Sequence, residues 1–237
     1  MPLDDRSADK ARRSQKKAPV RIFLVDDHPL LREGLARRIN GEKDLTVCGE
    51  AGDVGKALQA IRKLKPDLVV VDISMPGRDG IDLIKDIKVR FPGLLVLVLS
   101  LHDESLYAER SLRAGARGYV MKSAPPEEFL RAIRRVLAGE IAIGQGVASR
   151  LLSLMADTGR QGRKSPLETL TDRELEVLLL LGRGRQRGEI AEELHLSVKT
   201  IEAHRANMRL KLGLRSASEL RMYAIEFLRE EEARPSS

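Results

Sequence analysis

Residues 66–77 read Pro-Asp-Leu-Val-Val-Val-Asp-Ile-Ser-Met-Pro-Gly and place Asp72 at the end of an apolar run. Leu68 to Val71 are strand-forming residues without polar alternation, which is typical of a strand buried on both faces of a parallel sheet. Pro76 and Gly77 end this pattern. Because open α/β sheets bind ligands at the carboxyl ends of their strands, Asp72 is predicted to lie at a binding site.

Polar side chains also follow three other predicted strands, namely Asp26 and Asp27 after the first, Ser100 after the fourth and Lys122 after the fifth. Alone, Asp72 could be an ordinary solvated residue, but polar groups converging on one sheet edge favour a shared site. Three carboxylates repel one another unless a cation joins them, and oxygen ligands suit Mg²⁺. A phosphoryl group on Asp72 would then be surrounded by Mg²⁺, a hydroxyl and an ammonium.

Strand and helix patterns alternate five times between residues 20 and 140. The strands are predicted at about 20–26, 45–50, 68–73, 94–100 and 118–122. The helices are predicted near 30–40, 53–64, 80–90, 103–115 and 125–138. This alternation predicts an α/β fold, a five-stranded doubly wound parallel sheet with helices on both faces.

The polar residues at the strand ends resemble the signature of a response-regulator receiver domain, which has a flavodoxin-like fold. The resemblance covers the order and spacing of Asp26-Asp27, Asp72, Ser100, Tyr119 and Lys122. It implies that Asp72 is the phosphoacceptor and that Tyr119 is the switch aromatic. One departure is Ser123, which follows Lys122 where many receivers have proline.

The same resemblance implies a metal site and a phosphoryl site. Asp27, Asp72 and the backbone carbonyl of Ser74 would bind Mg²⁺ directly, and Asp26 would act through water. Ser100 and Lys122 would hold the phosphoryl group.

The composition limits the classes of protein that the chain can belong to. Its 237 residues carry a formal net charge of +7, and residues 1–19 are a polar, basic segment predicted to be a disordered tail. Its apolar runs are shorter than the roughly 18–20 residues of a membrane span, so no membrane association is predicted. The single Cys48 excludes an internal disulfide and suits a cytoplasmic protein.

The alternation of strand and helix patterns ends before residues 141–166, which are predicted to link two domains. A short amphipathic helix is predicted over 147–155, with Val147, Leu151 and Leu152 among its apolar residues. A polar, glycine-containing stretch at 157–166 follows it.

Residues 167–232 have helical patterns nearly throughout, and residues 233–237 form a short tail. Thr171 to Glu174 form a capping box before an apolar helix. A short helix at about 189–194 precedes a longer one, which Ser197 caps and Gly213 ends. This order predicts a helix-turn-helix, although an ordinary helical hairpin would give a similar pattern. A last helix is predicted from about 216 to 230.

The amino-acid sequence of this region resembles the LuxR-type helix-turn-helix. The matching segments are Leu-Thr-Asp-Arg-Glu-Leu-Glu-Val-Leu at 170–178, Glu-Ile-Ala at 189–191, 194–205 and Lys-Leu-Gly at 211–213. From 20 to 230 the chain therefore resembles a NarL/FixJ-class response regulator, with Gln-Arg-Gly at 186–188 as its main departure in this region. The resemblance implies a transcription factor that a sensor histidine kinase phosphorylates. It also implies promoter DNA as a partner, a homodimer on phosphorylation, and RNA polymerase as a further candidate partner.

Two other functions share parts of this pattern. A Mg²⁺-dependent phosphohydrolase also uses strand-end Asp, Ser and Lys residues, but those enzymes usually carry a second acid where this chain has Ser74. A constitutive DNA-binding protein would not need the complete set of strand-end polar residues. The chain is therefore predicted not to be an enzyme.

The predicted recognition helix has an inward and an outward face. Ile201, His204, Met208 and Leu212 recur at helical spacing and should pack inward, so His204 is interpreted as a packing residue. The candidate DNA contacts are Lys199, Thr200, Glu202, Ala203, Arg205, Ala206, Arg209 and Lys211.

Glu202 has two interpretations of equal weight. It could accept a hydrogen bond from a cytosine amino group, beside small alanines that meet thymine methyls. It could equally be a solvated residue paired with Arg205 or Arg209. The apolar face of the last helix, formed by Leu220, Tyr223, Ala224 and Phe227, is predicted to be the dimer contact.

Overall fold

The computed structural model describes residues 18–75, 80–156 and 166–232. Residues 1–17 of the predicted 1–19 tail, the tail at 233–237, residues 157–165 of the polar stretch and the turn at Pro76 and Gly77 lie outside the described residues. Within the described ranges, no helix has both the length and the apolar character needed to cross a lipid bilayer.

The N-terminal domain is built on a sheet of five parallel strands, as the sequence predicted. The strands are β1 (Val20–Val25), β2 (Leu45–Ala51), β3 (Leu68–Val71), β4 (Leu95–Ser100) and β5 (Gly118–Met121). Their order is β2-β1-β3-β4-β5, so β1 and β3 are both central. The chain places β2 on one side of β1 and then β3, β4 and β5 on the other side, so the crevice in which such sheets bind ligands lies between β1 and β3.

Five helices cover the two faces of the sheet. They are α1 (Pro29–Asn40), α2 (Val54–Leu64), α3 (Gly80–Arg90), α4 (Glu104–Ala114) and α5 (Pro126–Leu137). Leu68 and Val70 pack in the core beneath α1 and α5, whereas Val69 and Val71 pack in the core beneath α2, α3 and α4. Both faces of β3 are therefore buried, which explains why its sequence does not alternate.

Local capping explains where several helices begin and end. Asp53 accepts a hydrogen bond from Lys56 N at 2.8 Å, and Asp103 accepts one from Ser105 N at 2.8 Å. Gly115 ends α4 with φ of 117°, a conformation that costs glycine little.

The first half of the predicted linker packs on the N-terminal domain. Ala142 O accepts a hydrogen bond from Tyr119 N at 2.8 Å, near the start of β5. A helix, α6 (Gln145–Ala156), then packs on α4, with Val147 buried and Leu151 half-buried. The sequence predicts that Leu152 belongs to the apolar face of this helix, but its side chain is exposed. The packed face of α6 is therefore narrower than predicted.

The C-terminal domain contains a 3-10 turn at Pro166–Thr169 followed by four helices. They are α7 (Asp172–Gly182), α8 (Arg187–Glu193), α9 (Val198–Leu212) and α10 (Ala217–Glu232). Thr171 and Glu174 form the predicted capping box, and Ser197 Oγ accepts a hydrogen bond from Thr200 N at 3.0 Å. The short α8, the turn and the capped α9 are the predicted helix-turn-helix.

The prediction that the apolar face of α10 is the dimer contact was wrong for three of its four residues. Leu220, Ala224 and Phe227 are buried inside their own domain, where α10 packs on α7. The contact is so close that a Cβ atom on Gly182 would lie 2.5 Å from the carbonyl oxygen of Ala224. A domain of four helices needs these three side chains to complete its own core, so they are not free to contact a second copy. Tyr223 is half-buried, and its contact with a second copy stays a prediction.

Candidate functional site

The carboxyl edge of the sheet brings the predicted polar residues into one buried site. Asp26, Asp72 and Ser100 are buried at the ends of β1, β3 and β4. Lys122 follows β5, and its Nζ lies 2.6 Å from Asp26 Oδ2 and 2.7 Å from Asp72 Oδ2. Three separate strands therefore supply one cluster of opposite charges, and a fourth strand ends on the Ser100 hydroxyl.

Hydrogen bonds hold both the backbone and the side chain of Asp72. Its backbone N donates to Val25 O at 2.8 Å, and its Oδ1 accepts a hydrogen bond from Ser74 N at 3.0 Å. Burial raises the pKa of Asp72, and the Lys122 ammonium opposes that shift. Burial alone would lower the pKa of Lys122, but the Asp72 and Asp26 carboxylates outweigh it and raise the pKa.

The acidic residues form a group that could hold a cation. Asp26, Asp27, His28 and Asp72 each offer a ligand atom, and these atoms lie within 4.8 Å of one another. Three carboxylates facing a single ammonium leave an excess of negative charge, which fits a divalent cation with oxygen ligands.

His28 is a member of this group that the sequence reasoning missed. Its Nδ1 lies 2.9 Å from Asp27 Oδ1 and 3.3 Å from Asp26 Oδ1, although most of its side chain is exposed. Its position directly after the acidic pair, at the start of α1, was the available signal.

Ser100 and Tyr119 both contact the backbone of a second missed residue, His102. Ser100 Oγ accepts a hydrogen bond from His102 N at 3.1 Å. Tyr119 is buried, and its hydroxyl donates to His102 O at 2.9 Å. Burial also raises the pKa of Tyr119, so its hydroxyl keeps its proton at neutral pH.

The loop after Lys122 has ordinary backbone geometry without the proline. The peptide bond between Lys122 and Ser123 is trans. Lys122 N donates to Ser100 O at 2.7 Å, and Ala124 N donates to Met121 O at 3.0 Å in the following turn. The ends of β4 and β5 therefore stay together in spite of Ser123.

A second candidate site is the outer face of α9. Ile201 and Met208 are buried, and His204 and Leu212 are half-buried, so the inward face is confirmed. Burial lowers the pKa of His204, as expected for a packing residue. Lys199, Glu202 and Ala203 are exposed on the other side, whereas Thr200, Arg205, Ala206 and Arg209 are half-buried.

Several charged residues near α9 already have partners inside the domain. Glu202 Oε1 lies 3.0 Å from Arg205 Nη1 and 3.6 Å from Arg187 Nη1. The ammonium of Lys211 lies 2.7 Å from Glu174 Oε2, so it faces α7. The departure at 186–188 still caps α8, because the backbone N of Gln186 donates to Glu189 Oε2 at 2.7 Å.

Comparison with known proteins matches each domain to a family. The family model described as "Response regulator receiver domain" matches residues 22–134. The model described as "Bacterial regulatory proteins, luxR family" matches residues 168–224.

Similar proteins match nearly the whole chain. "Oxygen regulatory protein NreC" from Staphylococcus aureus (strain MRSA252) is 37% identical over 211 residues, which cover 87% of this chain and 97% of the relative. A structure of RcsB from Salmonella enterica serovar Typhimurium bound to promoter rprA in the presence of phosphomimetic BeF3- is 29% identical. It has a TM-score of 0.56 and covers 87% of this chain and 98% of RcsB.

A second RcsB structure, described as two RcsB dimers bound to two parallel DNAs, is 28% identical with a TM-score of 0.53. It covers 86% of this chain and 97% of RcsB. Both domains, in this order and across most of the chain, therefore match transcription regulators and not metabolic enzymes. The chain belongs to the NarL/FixJ class of two-component response regulators, with a receiver domain followed by a LuxR-type DNA-binding domain.

Proposed function

We propose that a sensor histidine kinase phosphorylates Asp72, and that this modification controls DNA binding by α9 and hence transcription. The observation that carries the proposal is the convergence of Asp72, Ser100 and Lys122, with Lys122 Nζ 2.7 Å from the Asp72 carboxylate. A nucleophilic carboxylate beside a hydroxyl and an ammonium is the arrangement that phosphoryl transfer to aspartate requires.

The buried surroundings of Asp72 suit this chemistry. The carboxylate attacks the phosphorus of the donor, and the bond from phosphorus to the leaving group breaks. Lys122 and Ser100 then lie where they can stabilise the charge on the phosphoryl oxygens, and these contacts are strong because the site is largely shielded from water. Lys122 would exchange its contact with Asp72 for one with the phosphoryl group.

The acidic residues suit Mg²⁺ as the cofactor. Asp27, Asp72 and the Ser74 carbonyl would hold it, and Asp26 would contribute through water. When bound, Mg²⁺ neutralises charge on the transferred phosphoryl group.

The outer face of α9 is the proposed DNA surface. Its members are Lys199, Thr200, Glu202, Ala203, Arg205, Ala206 and Arg209. Basic residues there would contact phosphates, and Glu202 and Ala203 would meet base edges in the major groove. The ion pair between Glu202 and Arg205 supports the second interpretation of Glu202, as a surface residue that reads no base. Lys211 would have to leave Glu174 to reach DNA.

We infer that the protein binds DNA as a homodimer once phosphorylated, as suggested by the description of RcsB dimers on DNA. RNA polymerase is a further proposed partner. A regulator that binds DNA would act in the cytoplasm of a bacterium. The proposed boundaries are 20–140 for the receiver, 141–166 for the linker and 167–232 for the DNA-binding domain.

The test uses Asp72→Asn, which keeps the shape of the side chain but cannot form an acyl phosphate. The full chain is treated with acetyl phosphate and Mg²⁺, and the phosphorylated fraction is measured by intact-protein mass spectrometry and by a phosphate-affinity gel. Wild type and Asp82→Asn, a control acid on the exposed face of α3, should be labelled. Asp72→Asn should not, and labelling at the wild-type level in that variant would disprove the assignment.

A further inference from the structure

The receiver and the DNA-binding domain contact each other through His102 and Glu176. His102 Nε2 lies 3.2 Å from Glu176 Oε1, and 74 positions separate the two residues in the chain. The side chain of Glu176 is only 5% exposed and that of His102 24%. Burial alone would raise the pKa of Glu176, but His102 and Arg173 outweigh it and lower the pKa. Glu176 is therefore ionised at neutral pH, so His102 Nε2 must be the donor.

On the receiver side, His102 is held by the two residues that would respond to a phosphoryl group. Its backbone N donates to Ser100 Oγ, and its backbone O accepts from the Tyr119 hydroxyl. Its ring stacks on Tyr107 of α4, with centroids 4.5 Å apart and an angle of 21° between the planes. The backbone from which the His102 ring extends is therefore tied by hydrogen bonds to both Ser100 and Tyr119.

Within the DNA-binding domain, the Glu176 carboxylate is connected through Arg173 to the turn of the helix-turn-helix. Glu176 Oε2 accepts from Arg173 Nη1 at 2.5 Å, and Arg173 Nη2 donates to Leu194 O at 2.9 Å. Leu194 directly follows α8, and the turn after it leads into α9. A continuous series of hydrogen bonds therefore connects Ser100, through the residues His102, Glu176 and Arg173, to Leu194. Leu194 begins the turn that orients the recognition helix.

Arg110 of α4 makes a second contact with the start of α7. Its Nη1 lies 2.8 Å from Asp172 Oδ1 and 2.9 Å from Leu170 O, and its Nη2 donates to Leu167 O at 2.6 Å. The receiver therefore contacts the N-terminal part of α7 at two places, Asp172 and Glu176. The outer face of α9 is left open, because Lys199, Glu202 and Ala203 are exposed.

A cleft of about 630 Å³ lies between the domains beside these contacts. Asp27, Ser74 and His102 line it from the receiver, and Arg173, Glu176 and Leu194 line it from the DNA-binding domain. The loop that carries His102 therefore borders open space on the side that faces the DNA-binding domain.

We propose that His102 is a latch that couples the phosphorylation site to the DNA-binding domain. With Asp72 unmodified, its hydrogen bond to Glu176 holds α7 and the turn before α9 against the receiver. This restrains the orientation of the DNA-binding domain without covering its recognition helix. Rearrangement of Ser100 and Tyr119 around a phosphoryl group breaks the bond and releases the domain. The inference rests on the proposed phosphorylation of Asp72.

The experiment compares His102→Phe with His102→Gln in the full chain. Phenylalanine keeps the ring that stacks on Tyr107 but cannot donate to Glu176, whereas glutamine keeps a donor at a similar reach. Leu101→Ala is the matched control, because Leu101 is the neighbouring loop residue and its side chain is 67% exposed. Equal melting temperatures and circular dichroism spectra establish that each variant is folded.

Affinity for selected DNA is measured by fluorescence anisotropy before and after acetyl phosphate treatment. Unmodified His102→Phe should bind roughly two- to tenfold more tightly than wild type, the range expected from one interdomain hydrogen bond. Phosphorylation should then increase its affinity by a smaller factor than in wild type. Both His102→Gln and Leu101→Ala should behave like wild type. Amide hydrogen exchange in 172–196 should rise in His102→Phe and in phosphorylated wild type.

Two results would overturn the latch. One is a wild-type affinity of unmodified His102→Phe, and the other is an equal gain on phosphorylation in His102→Phe and wild type. In either case, labelling of Asp72 in the same samples would leave the proposed function standing. A failure to label wild type would instead count against the proposed function.

Discussion

Lys122 Nζ lies between Asp26 and Asp72, 2.6 Å from a carboxylate oxygen of the first and 2.7 Å from one of the second. One ammonium is therefore shared by two buried acids at the ends of neighbouring strands. A cation or a phosphoryl group that enters the site must compete for these partners.

Lys122→Ala should separate metal binding from signalling. Loss of the ammonium removes a competitor for the carboxylates, so Mg²⁺ affinity, measured by isothermal titration calorimetry, should hold or increase. The phosphoryl group loses its cationic partner, so acetyl phosphate should no longer raise DNA affinity. A normal gain in DNA affinity would mean that Lys122 does not convey the modification. Lys88→Ala, an exposed lysine on α3, serves as the control.

Asp27→Ala should weaken Mg²⁺ binding, because it removes one of a small number of oxygen ligands. Calorimetric titration of Mg²⁺ should give at least a tenfold increase in Kd, equivalent to roughly 1.4 kcal/mol. Asp103→Ala alters another acid at the same end of the sheet, outside the proposed ligand set, and should leave the affinity unchanged. An unaltered Kd in Asp27→Ala would contradict a direct-ligand role.

Glu174 should make the DNA-binding domain sensitive to acid. Burial alone would raise its pKa, but Lys211 and the Thr171 backbone N–H outweigh it and hold the pKa below the usual 4.5. A lowered pKa in the folded state stabilises the domain above pH 4.5, and this stabilisation is lost as pH falls through the folded value.

Glu174→Gln should therefore lower the free energy of unfolding at pH 7 by about 1 kcal/mol, with less further loss between pH 4.5 and pH 3 than wild type. Urea titrations followed by circular dichroism at several pH values measure this difference. Glu226→Gln changes an exposed acid on α10 and should match wild type at each pH. Identical pH profiles for Glu174→Gln and wild type would show that the ion pair with Lys211 contributes nothing.

Arg209→Ala should weaken binding to all DNA sequences alike. A contact with phosphate positions the protein but carries no sequence information. The plot of log affinity against log salt concentration should become shallower by roughly one unit, because one fewer phosphate is neutralised. Anisotropy titrations at several salt concentrations with specific and random DNA test this, and a loss confined to the specific DNA would assign Arg209 to a base.

Glu202→Ala should change sequence preference without loss of general affinity. The variant removes a negative charge and frees Arg205, so affinity for random DNA should hold or rise. Discrimination at one base pair should fall by about 1–3 kcal/mol if the carboxylate accepts from cytosine. Binding selection from a random DNA library decides the matter: an unchanged preference at every position would leave Glu202 as a surface residue paired with Arg205.

Much of the fold could be predicted because its signals are local. The apolar run before Asp72, the glycine after α4 and the capping residues before α2, α7 and α9 act within a few positions in the chain. The prediction that the strand ends lie close together then followed from the rule that parallel strands share one carboxyl edge. For that reason the sequence predicted that Asp26, Asp72, Ser100 and Lys122 would meet, and they do.

Other features depend on which surfaces pack together, and local patterns do not contain that information. The apolar face of α10 was visible in the sequence, but only the tertiary structure assigned it to α7 instead of a second copy. The pairing of Lys211 with Glu174 spans 37 positions, and that of His102 with Glu176 spans 74. By itself, the sequence determined the elements and the chemistry of the sheet edge, because these follow from hydrophobic periodicity and short-range capping. Only the tertiary structure decided which charges are already paired and how the two domains touch, because those contacts join residues that are far apart in the chain.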